Sequence, residues 1–149
     1  MQSLIISDTA CLILFDKTGE FDILRKLFKT IFITTKIAEE FKKKTPDWIS
    51  IKDPTILSNI DVYSKIVDLG EASAIALSKE TKNSVLILDD LKARRLAEAL
   101  ELKYTGSIGI LILAKRKGLI EDVDQLIMKI QETNFRLTNP IIDKLREET

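Results

Sequence analysis

The chain alternates short apolar runs with longer amphipathic stretches from one end to the other. Three runs are rich in apolar and β-branched residues, which is typical of buried strands: residues 3–7, 30–34 and 84–88. Residues 103–105 form a shorter candidate strand, and residues 48–51 a weaker extended segment. The pattern therefore predicts several short strands spread along the chain.

Between these runs, apolar residues recur at three- and four-residue spacing, which predicts amphipathic helices. The predicted helices cover residues 9–17, 20–28, 35–44, 54–70, 71–81, 89–101, 106–118, 123–133 and 140–147. Strands separated by helices favour a mainly parallel sheet with helices on both faces. We therefore expect one three-layer α/β/α domain over residues 1–149.

Composition narrows the chemistry. The 23 basic and 23 acidic residues cancel, which argues against strong non-specific binding of nucleic acid without excluding a local basic groove. The absence of histidine excludes a Ser-His-Asp triad and histidine-ligated zinc. The single cysteine, Cys11, lies in an apolar run and is expected in the core.

The chain carries no pattern typical of membrane insertion or export. Its N-terminus lacks a basic segment before the apolar run, and Asp8 interrupts that run, so we expect no signal peptide. The longest later apolar run, residues 108–114, is too short to span a bilayer. We expect no membrane association and a cytoplasmic location.

Acidic residues follow two of the predicted strands. Asp8 comes after the first strand, and Asp89 and Asp90 come after residues 84–88. The pair Glu39-Glu40 lies in the helix after the second strand, and Glu71 lies at a helix start. Ligands of parallel α/β sheets bind beyond the carboxyl ends of the strands, so these acids could meet there.

Clustered carboxylates repel one another and stay ionised together only beside a cation, and oxygen ligands suit Mg²⁺ or Mn²⁺. Such an ion can activate water and neutralise charge on a phosphate without histidine. Each acid also has a simpler interpretation. Asp8 and the Asp89-Asp90 pair could be helix caps, Glu39 and Glu40 a solvated helix face, and Glu71 a partner of the helix dipole. The metal site is therefore predicted from these acidic positions together, and not from any one of them.

Five segments in order resemble one known family. They are IISDT at 5–9, FITTKIAEEF at 32–41, GEASAIAL at 70–77, LILDDLKARRLA at 86–97 and TGSIGILILAKRKG at 105–118. Together they resemble a PIN domain, especially the compact prokaryotic group placed with toxin–antitoxin ribonucleases. The resemblance covers essentially the whole chain.

The resemblance implies an endoribonuclease that hydrolyses RNA phosphodiester bonds with Mg²⁺ or Mn²⁺. Its catalytic acids fall on Asp8, Glu40, Glu71 and Asp89, with Asp90 as the second choice for the last place. The predicted metal ligands are Asp8, Glu71, Asp89 and Asp90. It also implies a possible role as the toxin of a toxin–antitoxin pair.

Basic residues after the acidic pair are candidates for RNA contact. Lys92, Arg94 and Arg95 lie on one predicted helix, where they could reach a phosphate backbone or form only a solvated face. Ser107 occupies a position where the family more usually has threonine, and serine keeps the hydroxyl group. We predict RNA contacts at all four residues.

A protein partner is expected from the apolar residues of the early helices. Leu24, Leu27 and Phe28 could exceed the needs of one core, and a homodimer or an antitoxin segment could cover them.

Two other functions compete with the nuclease. One is a catalytically silent PIN-like module that binds RNA or protein. The other is a phosphatase or phosphoacceptor domain. A haloacid-dehalogenase-type phosphatase would need an aspartate at position 10, which is Ala10, and a receiver domain would need its acidic pair after the first strand.

Overall fold

The computed structural model describes residues 3–147, which form a five-stranded sheet. The strands are β1 (Leu4–Ser7), β2 (Ile31–Ile33), β3 (Ile49–Ile51), β4 (Ser84–Ile87) and β5 (Tyr104–Thr105). Their order in the sheet is β3-β2-β1-β4-β5, and every pair is parallel. The predicted mainly parallel sheet is confirmed, including its weakest strand, residues 49–51.

Nine helices connect and flank these strands within residues 3–147. They are α1 (Thr9–Lys17), α2 (Phe21–Phe28), α3 (Thr35–Phe41), α4 (Leu57–Tyr63), α5 (Leu69–Lys79), α6 (Leu91–Ala99), α7 (Ser107–Arg116), α8 (Val123–Gln131) and α9 (Asn139–Arg146). Parallel strands require such crossovers, because each strand must start again at the same edge of the sheet. The predicted three-layer α/β/α architecture is confirmed.

The strand order places a binding crevice at β1. From β1 the chain builds the sheet outwards through β2 and β3, and then returns to the other side of β1 with β4. Such a reversal of strand order opens a crevice at the carboxyl ends of the strands. Leu4 pairs with Ser84 and Ser7 with Ile87, so β1 and β4 end level with each other. The residues that follow these two strands are therefore neighbours.

The apolar residues that predicted the strands and helices are buried in the core. Ile6, Ile33 and Leu86 of the three central strands are fully buried. The amphipathic faces of the helices cover the sheet, and Cys11 of α1 is fully buried with them, as predicted. No helix in residues 3–147 is long and apolar enough to cross a membrane.

Several helix boundaries differ from those predicted. The stretch 54–70 contains the short α4 and the first two residues of α5, so Gly70 lies in the first turn of a helix instead of ending one. The Asp68 carboxylate caps α5 by accepting the Glu71 N–H at 2.8 Å, so the helix begins before the glycine. Helix α3 ends at Phe41 because Lys42 adopts a left-handed conformation, with φ of 64°. Helix α6 begins after Asp90, its N-cap, and not at Asp89.

The apolar residues of α2 belong to the core. Leu24 is fully buried, and Leu27 and Phe28 pack against the core cluster, so they do not form the free surface expected from the sequence. Exposed apolar side chains lie instead around α4 and the start of α5. They include Ile56, Leu57, Val62, Ile66 and Leu69.

Candidate active site

An acidic pocket opens where β1 and β4 end. Its volume is about 90 Å³, and five of its seven lining residues are acids. The lining residues are Asp8, Thr9, Ala10, Glu40, Asp68, Glu71 and Asp90. The acids come from four places along the chain, which the β1–β4 pairing and the packing of α1 and α5 against α3 bring together.

Asp8 is the buried acid of this pocket, with only 3% of its surface exposed. Its Oδ1 accepts the Cys11 N–H at 2.9 Å and so caps α1, while its Oδ2 accepts the Asp89 N–H at 2.9 Å. Burial, and then the charge of Asp89, raise the pKa of Asp8 from 3.8 to about 7, against the opposing effect of the two hydrogen bonds. Asp8 is thus both the predicted N-cap and a member of the predicted site.

Glu40 reaches the pocket from the exposed face of α3. The Thr9 hydroxyl donates a hydrogen bond of 2.6 Å to Glu40 Oε1. Gly70 lies directly against the same carboxylate, since a Cβ at Gly70 would come within 2.1 Å of Oε1. The glycine therefore leaves the space that this carboxylate occupies.

Glu71 and Asp68 form a capping box at the start of α5. Each side chain accepts a backbone N–H from the other residue, with the Glu71 N–H at 2.8 Å from Asp68 Oδ1. Burial, and then the charges of Asp68 and Asp90, raise the pKa of Glu71 from 4.5 to about 8. The pocket therefore contains more negative charge than its surroundings compensate.

Asp89 is not among the residues that line the pocket. Its Oδ1 accepts the Ser107 N–H at 2.7 Å, and its Oδ2 accepts the Ser107 hydroxyl at 2.6 Å. Arg94 lies beside it, with Nη2 at 3.9 Å from Asp89 Oδ1 and Nε donating to the Leu88 carbonyl at 2.7 Å. Asp89 thus connects the end of β4 to the start of α7, and of the two acids after β4 it is Asp90 that lines the pocket.

The same contacts decide how the predicted RNA-binding residues are placed. Ser107 is fully buried against Asp89, which does not support the predicted contact between Ser107 and RNA. Arg94 is partly buried and already engaged with Leu88 and Asp89. Lys92 and Arg95 are exposed on α6 and stay predicted RNA contacts.

Sequence reasoning missed two polar lining residues, Asp68 and Thr9, and the apolar Ala10. Asp68 stands three residues before Glu71, and this Asp-x-x-Glu spacing is the pattern of a capping box. That pattern would have placed Asp68 beside Glu71. The contact between Thr9 and Glu40 joins residues 31 positions apart and has no comparable local pattern.

The donor chemistry of the pocket fits a divalent cation. Its ligands are carboxylate oxygens, which Mg²⁺ and Mn²⁺ prefer. Burial, and then neighbouring negative charge, raise the pKa values of Asp8 and Glu71, and a cation would compensate that charge. The ligands are not already arranged around one point. Within residues 3–147, no group of three or more Asp, Glu or Cys side chains is positioned to hold an ion. The acids therefore share one pocket without forming a finished coordination shell.

The sheet order and the acidic pocket together define a three-layer α/β/α domain with a carboxylate-lined crevice. A family model for the PIN domain (DUF3368) matches residues 4–149, nearly the entire chain, and the chain belongs to this family. PIN domains are generally nucleases, which agrees with the resemblance drawn from the five sequence segments. Comparisons with curated proteins and with solved structures find no match.

Proposed function

We propose that this protein is an endoribonuclease that hydrolyses RNA phosphodiester bonds with Mg²⁺ or Mn²⁺. The observation that carries the proposal is the acidic pocket at the crevice of a PIN-domain sheet, which Asp8, Glu40, Glu71 and Asp90 line together. Bound there, the cation would supply an activated water and neutralise charge on the phosphate. The proposal includes a cytoplasmic location, where RNA substrates are present.

The residues have separate roles in this proposal. Asp8, Glu71 and Asp90 would hold the cation, with Asp8 fixed in place by its two backbone hydrogen bonds. Glu40 is exposed and oriented by the Thr9 hydroxyl, so its carboxylate is the group we assign to proton transfer with water or with the leaving oxygen. Asp89 acts as a positioning residue, because its backbone N–H is bonded to Asp8.

RNA would approach across α6, which begins at the pocket acid Asp90. Lys92 and Arg95 are exposed on this helix and would contact phosphates, which positions a chain without reading its sequence. The contribution of such contacts falls as salt rises. Cleavage by Lys92→Ala or Arg95→Ala should therefore show a higher KM and a weaker dependence on salt than wild type.

The decisive experiment measures cleavage of a mixed RNA panel with Mg²⁺, with Mn²⁺ and with EDTA. Wild type should cut RNA only with metal, and Asp8→Asn should lower the rate about 100-fold or more, since loss of an outer-shell partner alone costs about 10- to 100-fold. Asp61→Asn, which changes an exposed acid of α4, serves as the matched control and should cleave like wild type. Equal cleavage by wild type and Asp8→Asn would reject the proposal.

A catalytically silent module that binds RNA or protein is the second candidate. The open arrangement of the acids favours it, because no finished coordination shell is present within residues 3–147. RNA binding without any metal-dependent cleavage across the panel, for wild type and Asp8→Asn alike, would select this alternative.

A toxin role, with an antitoxin or a homodimer partner, extends the proposal. The exposed apolar side chains around α4 border the segment that carries Asp68 and Glu71, and a protein partner there would remove them from water. Induced expression should then arrest growth for wild type and not for Asp8→Asn. Light scattering on the purified chain would report whether it is a dimer.

A further inference from the structure

A second cavity lies directly beside the acidic pocket. It has a volume of about 340 Å³ and forms between α1 and the segment that follows α8. Its lining residues are Ala10, Ile13, Leu14, Lys17, Thr133, Asn134 and Phe135. Ala10 also lines the acidic pocket, so the two cavities adjoin along α1. We call this second space the α1 cavity.

The walls of the α1 cavity are mostly apolar, but two polar groups face no partner. The Thr133 hydroxyl is already used, because it donates to the Ile130 carbonyl and accepts the Phe135 N–H. In contrast, the Lys17 ammonium and the Asn134 amide form no hydrogen bond or ion pair with any other part of residues 3–147. The cavity therefore offers apolar surface, one cation and one amide that both donates and accepts.

We propose that the α1 cavity binds a nucleobase of the RNA substrate, next to the bond that is cleaved. This inference rests on the proposed nuclease function and specifies how that site would select its substrate. A nucleobase has apolar faces for Ile13 and Phe135 and a polar edge that an amide such as Asn134 can read. The volume is at the small end of the range of about 300–1,000 Å³ for small-molecule sites.

The position of Lys17 supports a nucleotide as the occupant. Lys17 lies seven residues after Ala10 on the same helix, which corresponds to about 10 Å along the axis. One short piece of RNA could then place a phosphate at the acids, a base in the cavity and another phosphate near Lys17. An apolar side chain from a partner protein fits less well, because it would cover Lys17 and Asn134 without giving them partners.

The first test measures binding without relying on cleavage. Methyl NMR spectra of the full chain are recorded with each of the four nucleoside 5′-monophosphates, and with ribose 5-phosphate as the control without a base. The Ile13 and Leu14 methyl signals should shift with one or two of the nucleotides and not with ribose 5-phosphate. Ile51, an exposed isoleucine on β3, is the internal control and should not shift.

Two results would overturn the inference. One is an absence of shifts, or equal shifts with ribose 5-phosphate, which would mean that no base is bound. The other is a shift of the Ile13 signal that follows protein concentration and ignores nucleotides, which would mean that a second copy of the chain covers the cavity.

The second test compares cleavage of RNAs that differ at one base beside the cut. Asn134→Ala and Ile13→Ala should reduce the preference between the best and the worst base by about 10-fold, the effect expected from losing one base contact. Ile51→Ala should leave the preference unchanged. If wild type cuts no RNA, the proposed function fails while the NMR test still decides the cavity. If it cuts with unchanged preference in both variants, only the base site is rejected.

Discussion

The raised pKa of Asp8 predicts that this fold loses stability as pH rises, in the absence of metal. The unfolded chain releases the Asp8 proton near its ordinary pKa of 3.8, whereas the folded chain keeps it until about pH 7. Between these values the folded state binds more protons than the unfolded state. The free energy of unfolding therefore decreases with pH across this window.

The magnitude follows from the same pKa values. Each unit of pH within the window lowers the free energy of unfolding by about 1.4 kcal/mol. Between about pH 5 and about pH 8, roughly two units lie inside the window, because it ends near the folded pKa of about 7. Asp8 should thus account for a loss of about 3 kcal/mol over that interval. Asp8→Asn removes the titration but also one of two backbone hydrogen bonds, and that second effect is independent of pH.

The assay is urea unfolding in EDTA at both pH values. From low to high pH, wild type should lose about 3 kcal/mol more than Asp8→Asn, because the constant cost of the lost hydrogen bond cancels in the comparison. The titration of Glu71 is present in both proteins and largely cancels as well. The control Asp61→Asn should follow wild type.

A bound metal ion should restore the folding stability that wild type loses at high pH. Mg²⁺ at about 100 times its Kd would stabilise wild type at high pH by about 2.7 kcal/mol, which for a domain of this size raises Tm by about 5–10 °C. Asp8→Asn should gain much less. An identical pH dependence of stability in wild type and Asp8→Asn would refute the reasoning, because it would show that Asp8 does not keep its proton on folding.

Further predictions concern residues around the pocket. Gly70→Ala should leave the free energy of unfolding unchanged or raise it by about 0.5–1 kcal/mol, as expected for alanine in a helix. It should nevertheless slow cleavage, because the new methyl group displaces the Glu40 carboxylate. In a Glu40→Ala background, Gly70→Ala should have no further effect on the cleavage rate. Asp68→Asn keeps an oxygen to cap α5 but removes a charge, so the pKa of Glu71 should fall in a carboxyl NMR titration. Ser107→Ala removes the hydroxyl, one of the two Ser107 groups that donate a hydrogen bond to the Asp89 carboxylate. The free energy of unfolding in urea should fall by about 1–3 kcal/mol.

The fold was largely accessible from the sequence because its signals are local. An apolar run such as 84–88 has to be buried on both faces in a parallel sheet, and Asp8 has the side chain that starts a helix. The stretch 54–70 was misjudged because Gly70 was interpreted as a helix end, although the capping box of Asp68 and Glu71 starts α5 just before this glycine. The contact between Gly70 and the Glu40 carboxylate joins residues 30 positions apart and has no local sequence pattern.

The site was only partly accessible for the same reason. The sequence identifies an acidic pair after β4, but not which member faces the pocket. That choice depends on Ser107, whose N–H and hydroxyl bind Asp89 and leave Asp90 to line the pocket. Likewise, the sequence shows that Leu24, Leu27 and Phe28 are apolar. It does not show whether they are buried in the core or exposed at the surface.

The pairing of β1 with β4 has a consequence for when the protein can become active. Asp8 reaches its position only when the backbone of Asp89, 81 residues later, is beside it. Contacts between such distant segments form late, since a long loop must close first. A chain emerging from the ribosome therefore carries Asp8, Glu40 and Glu71 without an assembled pocket until β4 has been made. Synthesis itself thus delays assembly of the pocket, and with it the proposed nuclease activity, until β4 has been made.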